Sequence, residues 1–229
     1  MPSVTTLAEL RVKAIHDADM TSSGFAVADR VDEDINLELG ELYDLVVMAY
    51  EDDFVTTANV SVVTGTESYS LPSDFYKSRK VFWKTSDRRY RLRRFMLSDL
   101  ESRIGDYTAL GSSGRNLYYR VLGDKIYFSP KPIESGTVEL FYLPEMTKLV
   151  ADSDPISFSI PVSSWEDAVI AGAAARLLIR EDSDPTPLLS RKASVIQRIM
   201  RAASDRDAGE PQRVTDVHNR FGYMPIYGV

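Results

Sequence analysis

Apolar and polar positions along this chain follow two different periods, and the places where the period changes divide it. Near the start, Leu7, Leu10, Ala14 and Ile15 recur at helical spacing. Thr5 or Thr6 stands where an N-cap belongs and Glu9 where it completes a capping box, so a short helix is predicted over 6–17. After the loop at Thr21, Ser22, Ser23 and Gly24, a second stripe of Ile35, Leu39, Leu42, Tyr43, Val46, Val47 and Tyr50 predicts a longer helix over 32–50.

From residue 57 to 143 the period falls toward two, in short stretches rich in Val, Tyr, Phe and Thr that Gly, Pro, Ser and Asp separate. Strands are predicted at 58–63, 68–71, 80–84, 88–93, 117–121, 125–128 and 137–143. Thr85-Ser86-Asp87 and Leu122-Gly123-Asp124 read as hairpin turns, and Ser98 with Glu101 caps a short helix over 98–104. Helical spacing returns beyond the loop that holds Asp152 and Pro155. Ser163 and Glu166 fit a capping box for a helix running to about residue 180, and the small residues at 171–175 leave room for a neighbouring helix backbone. Asp184 and Pro185 open a last helix through Leu188, Leu189, Val195, Ile196, Ile199 and Met200, ending near residue 206.

Residues 207–229 keep no apolar period, and Gly209, Pro211, Gly222, Pro225 and Gly228 exclude a regular helix there. This extended tail nevertheless carries Phe221, Tyr223, Met224, Ile226 and Tyr227, apolar surface that belongs against a partner or the chain's own body. The expected architecture is α+β. Two N-terminal helices (1–56) and two C-terminal helices (151–206) form a bundle, a β-rich domain of sandwich or barrel type (57–150) is inserted, and the tail (207–229) extends beyond.

Composition removes whole classes of chemistry. Without cysteine there are no disulfides, thiolate nucleophiles or cysteine metal sites. A net charge of -7 argues against a protein that coats nucleic acid. The first residues lack the apolar core of a signal peptide, and the apolar run at 168–179 is too short for a bilayer of about 30 Å, so a soluble protein is expected. Neither histidine has recognisable catalytic partners, and His16 suits the C-terminus of its helix. Asp17, Asp19 and Thr21 begin like a calcium loop, but Ser22 and Ala28 stand where Gly and Glu are needed. No glycine-rich loop is followed by Lys-Ser or Lys-Thr. No catalytic, cofactor or metal residue is therefore assigned, and the protein is not expected to be an enzyme.

Two opposed charge runs remain. Between residues 29 and 53 ten carboxylates face one base, Arg30; they read as lying mostly on the face of the second helix opposite its apolar stripe or at its ends, solvated or at an interface, with Asp32, Asp34, Glu38 and Glu41 candidates for a contact between subunits. Between 77 and 94 nine bases stand against Asp87 alone, and strand alternation puts Arg89, Arg91 and Arg93 on one face and Tyr90 and Leu92 on the other. Arg88, Arg89, Arg91, Arg93 and Arg94 admit three readings: a solvated edge that discourages pairing, a DNA-facing surface, or a contact with the acidic helix of a neighbouring subunit.

The order of several short motifs adds a resemblance. The stretch from Leu7 to Asp19-Met20, then Asp32-Glu33-Asp34-Ile35-Asn36 and Glu41-Leu42-Tyr43-Asp44-Leu45, resembles the opening of tailed-bacteriophage head-to-tail adaptor (connector, neck) proteins. Tyr69-Ser70-Leu71-Pro72-Ser73-Asp74-Phe75-Tyr76 and Lys125-Ile126-Tyr127-Phe128-Ser129-Pro130 are similar to that family's β segments, and Trp165-Glu166-Asp167 to the start of its penultimate helix. The resemblance implies a structural virion protein without cofactors, assembled as a dodecameric ring in the neck, between the capsid portal and the tail. It further implies solubility in the host cytoplasm before assembly and no membrane. The implied partners are further copies of the chain, the portal protein, a tail or nozzle protein, and non-specifically the packaged DNA of the channel. The tail aromatics with Met224 and Ile226 would dock on the portal. Two rival readings stand beside it. One is a metal-dependent nucleic-acid-processing enzyme using Asp32 and Asp34 with the arginine hairpin; the other is a tail-fibre or spike attachment protein that works through its β insertion.

Overall fold

The structure, a computed structural model, describes residues 5–85, 88–96 and 117–204. Helix α1, Leu7–Asp17, starts as its capping box dictates: the Glu9 amide donates to Thr6 Oγ1 and the Thr6 amide to Glu9 Oε2, both at 3.4 Å. Its Leu7, Leu10 and Ala14 are buried. Helix α2, Ala28–Ala49, begins one turn ahead of the predicted start, because buried Val31 extends the apolar stripe backward. All seven stripe residues from Ile35 to Tyr50 are buried, as the pattern predicts.

Helix α3, Asp167–Arg180, corrects an expectation. No capping box forms at Ser163 and Glu166, since Glu166 makes no side-chain cap and Ser164 is left-handed at φ 56°. The carbonyls of Ser163 and Ser164 instead accept from Arg198 at 2.7 and 3.3 Å. Helix α4, Thr186–Ser204, opens as predicted, its Thr186 amide donating to Asp184 Oδ1 at 3.0 Å. One apolar core joins the four helices through Leu10, Ile35, Leu39, Val169, Ala173, Leu177 and Ile199. Each fully buried Leu or Ile in it contributes roughly 1.5–3 kcal/mol in transfer from water.

The β region consists of β1 Thr56–Val62, β2 Ser68–Ser70, β3 Phe75–Lys84, β4 Arg89–Arg91, β5 Arg93–Arg94, β6 Tyr118–Leu122, β7 Lys125–Ser129 and β8 Gly136–Pro144. They form two open sheets, in the orders β1-β8-β3-β4 and β2-β7-β6-β5. Val81, Trp83, Val138 and Leu140 of the first sheet share an apolar cluster with Tyr119, Ile126 and Phe128 of the second. The β6–β7 turn predicted at 122–124 is present, and Gly123 supplies its positive φ of 59°.

The strand predicted over 88–93 is not continuous. It breaks at Leu92, which is buried and still donates to Val81 O at 2.8 Å, after which β5 leaves the first sheet and pairs parallel with β6 in the second. Burying Leu92 between the sheets wins over a straight strand. The helix predicted over 98–104 and the tail over 207–229 lie outside the described residues.

The two regions meet at α2. Tyr43 and Val47 pack with Leu143 of β8, and Tyr43 Oη donates to Pro144 O at 2.6 Å. Tyr76 of β3 donates to Asp44 at 3.0 Å, and the Asn36 side chain both donates to Leu149 O and accepts from its amide at 2.9 Å. One helix thus presents one face to the other helices and positions the sheets from its far end.

Candidate functional site

Two members of the acidic run of α2 turn inward where the sequence pattern had placed them outward, while Asp29, Glu33, Glu41 and Asp44 are exposed. Asp34 and Glu38 are buried, at 2% and 3% exposure, and each holds a cation of α3. Arg180 contacts both Asp34 oxygens, at 2.7 and 2.6 Å, while Arg176 Nε donates to Glu38 Oε1 at 2.6 Å. The spacing explains the match: carboxylates four residues apart on α2 face arginines four apart on α3, in reverse order, as antiparallel helices require. Lys192 of α4 completes the cluster, lying 2.5 Å from Glu38 and 2.8 Å from Glu41, and Arg176 reaches Glu41 at 2.8 Å. Asp32 is taken by Arg11 of α1, which donates to both its oxygens at 2.7 and 2.6 Å and also to Asp152. Arg191 of α4 likewise bridges Asp167 of α3 and Asp17 of α1.

Burying charge costs several kcal/mol per ion unless partners and hydrogen bonds offset it, and here each carboxylate is met by one or two cations. The small-residue run of α3 makes this possible. The run packs closely against the neighbouring helices, as the sequence suggested, and at Gly172, where a Cβ atom would collide with the Glu38 carboxylate, the space is taken by that side chain.

The cluster gives a pH signature. The hydrogen bond from Lys192 holds the Glu41 carboxyl below its ordinary value of 4.5, in spite of burial. Burial pulls Lys192 down, but its bonds to Glu38 and Glu41 outweigh it and keep the ammonium protonated above its ordinary 10.5. A depressed carboxyl adds stability that is present above its unfolded value and lost as pH falls through the folded one. A raised ammonium adds stability that is present below its unfolded value and lost as pH rises through the folded one. Scanning calorimetry is therefore expected to show a plateau in melting temperature between about pH 5 and 10, with Glu41→Gln flattening the acid limb. An acid limb unchanged in that variant would contradict the assignment.

The basic run lies on the sheets. Tyr90 is half-buried and Leu92 buried, while Arg88, Arg89, Arg91, Arg93 and Arg94 are exposed, which agrees with alternation up to the break. Arg89 pairs with Glu139 of β8, at 3.2 and 3.1 Å. Arg91, Arg93 and Arg94 line a depression of about 540 Å³ together with Arg79 and Lys80. Sequence reasoning assigned Arg79 and Lys80 to the charge run without seeing that they join this pocket. Phe221, Tyr223, Met224, Ile226 and Tyr227 lie outside the described residues.

For the nuclease reading, Asp32 and Asp34 would have to converge, yet they bind different arginines on different helices. Among the described residues no group of three or more His, Asp or Glu side chains is arranged to hold a metal ion. Among them, too, no helix is long and apolar enough to cross a membrane.

Helices joined by internal ion pairs and carrying two open sheets define an α+β fold. Residues 5–220 match the family model of the SU10 adaptor protein, and the chain belongs to that family of structural phage adaptors, which is not a family of enzymes. The sequence has no match among curated proteins.

Proposed function

We propose that this protein is the head-to-tail adaptor of its phage, assembling into a dodecameric ring in the neck that joins the portal to the tail and continues the DNA channel. Membership of the SU10 adaptor family over residues 5–220 is the observation that carries the reading. The portal is bound through Phe221, Tyr223, Met224, Ile226 and Tyr227, and the opposite side of the ring receives the tail or nozzle protein.

The outer face of α2 supports contact between copies. Leu37, Leu45 and Met48 are 55%, 38% and 74% exposed there, on the side away from the helical core, and Tyr76 of β3, 47% exposed, shares a depression with Leu37. Because Asp32, Asp34, Glu38 and Glu41 are held by the chain's own cations, the subunit contact falls to this apolar face rather than to the acidic run. Leu37→Glu with Met48→Glu is expected to leave the melting temperature within about 2 °C, as exposed substitutions do, while sharply reducing the copies bound to portal-bearing heads. Electron microscopy of the mixtures reads this out. Full rings formed by the double variant would contradict the α2 contact, and wild-type protein that never decorates the portal would contradict the adaptor reading itself.

A further inference from the structure

Five cations converge on the depression where the two sheets meet: Arg79 and Lys80 from β3, Arg91 from β4, and Arg93 and Arg94 from β5, with Tyr119 of β6 in its wall. Two departures from regular strand geometry build it. The pairing of β3 with β8 slips after Ser78, which faces Tyr142, so that Lys80 faces Phe141 and Arg79 has no opposite residue. A bulge of this kind re-aims side chains, and here it brings two consecutive cations to one cavity, which strict alternation forbids. The break at Leu92 then carries the chain from one sheet to the other, so that Arg91 approaches from the first and Arg93 and Arg94 from the second.

Most of the charge of this pocket has no ionic counterpart among the described residues. Among the described residues no carboxylate lines it, and Lys80, Arg91, Arg93 and Arg94 have no ionic partner. The helical cations Arg11, Arg176, Arg180, Arg191 and Lys192 each hold a carboxylate, and so does neighbouring Arg89. In a chain of net charge -7, a concave cluster of cations, four of which have no ionic partner among the described residues, is suited to an anion. Four of its five cations are arginines, whose planar fork donates paired hydrogen bonds to phosphate oxygens. Four of the α2 carboxylates, Asp32, Asp34, Glu38 and Glu41, already hold cations of their own chain and are not offered to the pocket of a neighbouring subunit.

We infer that this pocket binds the phosphodiester backbone of DNA, independently of base sequence. The inference rests on the channel reading for the DNA it meets, but its test needs only the full-length protein. Fluorescence anisotropy with a labelled duplex of mixed sequence, repeated over a range of salt, measures both affinity and its salt slope. Each contacted phosphate steepens that slope by about 0.9, so Arg91→Gln, Arg93→Gln and Arg94→Gln together should make it shallower by about two to three. Replacing the same three with lysine should keep most of the slope, and Lys80→Gln alone should reduce it by about one. All variants should melt with the wild type. Failure of the wild-type protein to bind duplex at low salt would overturn the inference and leave the adaptor reading standing. A triple glutamine variant with an unchanged slope would also overturn it, and if that variant failed instead to join its own copies, the pocket would be a carboxylate site between subunits. Normal DNA binding by a protein absent from the neck would spare the pocket and remove the channel.

Discussion

Replacing Glu38 with alanine is expected to lower the melting temperature by roughly 6–12 °C. Loss of one partner from a buried ion pair costs about 3–5 kcal/mol, and in a chain of this size each kcal/mol corresponds to about 2–4 °C. Glu41 still neutralises part of the charge that Arg176 and Lys192 present, which holds the effect to the lower part of the range those figures allow. Gly172→Ala is expected to act on the same group from the other side, because its methyl drives the Glu38 carboxylate away from both cations. Overpacking alone costs about 1–3 kcal/mol. The two substitutions combined should cost less than their sum, since alanine at 38 removes the group that the new methyl would strike. Calorimetry of the four proteins of this cycle decides the matter. Glu38→Ala melting with the wild type, or strict additivity with Gly172→Ala, would show that the cluster does not hold α2, α3 and α4 together.

Deleting residues 207–229 is expected to abolish attachment to portal-bearing heads while the truncated protein melts as before. The core residues of α4, Val195 and Ile199, lie ahead of the cut, so the helical core keeps its packing. What is removed is the aromatic and aliphatic set from Phe221 to Tyr227, each member of which adds on the order of 2 kcal/mol when fully buried on a partner. Co-sedimentation with heads measures the loss. Truncated protein that joins the heads normally would sink the tail-docking proposal.

The local signals in the sequence read true where one element decides the outcome. The capping box at Thr6 and Glu9, the stripe of α2 and the turn at Gly123 depend on neighbours a few residues away. What escaped depends on distant parts of the chain. Asp34 and Glu38 read as surface charge because an isolated helix turns carboxylates to water, and their partners Arg180, Arg176 and Lys192 follow more than a hundred residues later. A signal was nonetheless present: both carboxylates interrupt the apolar stripe between Val31 and Leu42, and α3 carries two arginines at the same spacing. The break at Leu92 escaped for the opposite reason, since alternation continues through it and only a second sheet, supplied by β6 and β7, draws the chain away. The bulge at Arg79 likewise exists only in the pairing of β3 with β8. The basic pocket, made from these two irregularities, could be counted in the sequence but not assembled from it.

The adaptor proposal is tested most directly by locating the protein in the assembled phage, through cryo-electron microscopy of virions with immunogold labelling of this chain. The account predicts a ring of copies in the neck, seated on the portal at one side and on the tail at the other. Label confined to fibres or spikes, or a neck built without this chain, would contradict it.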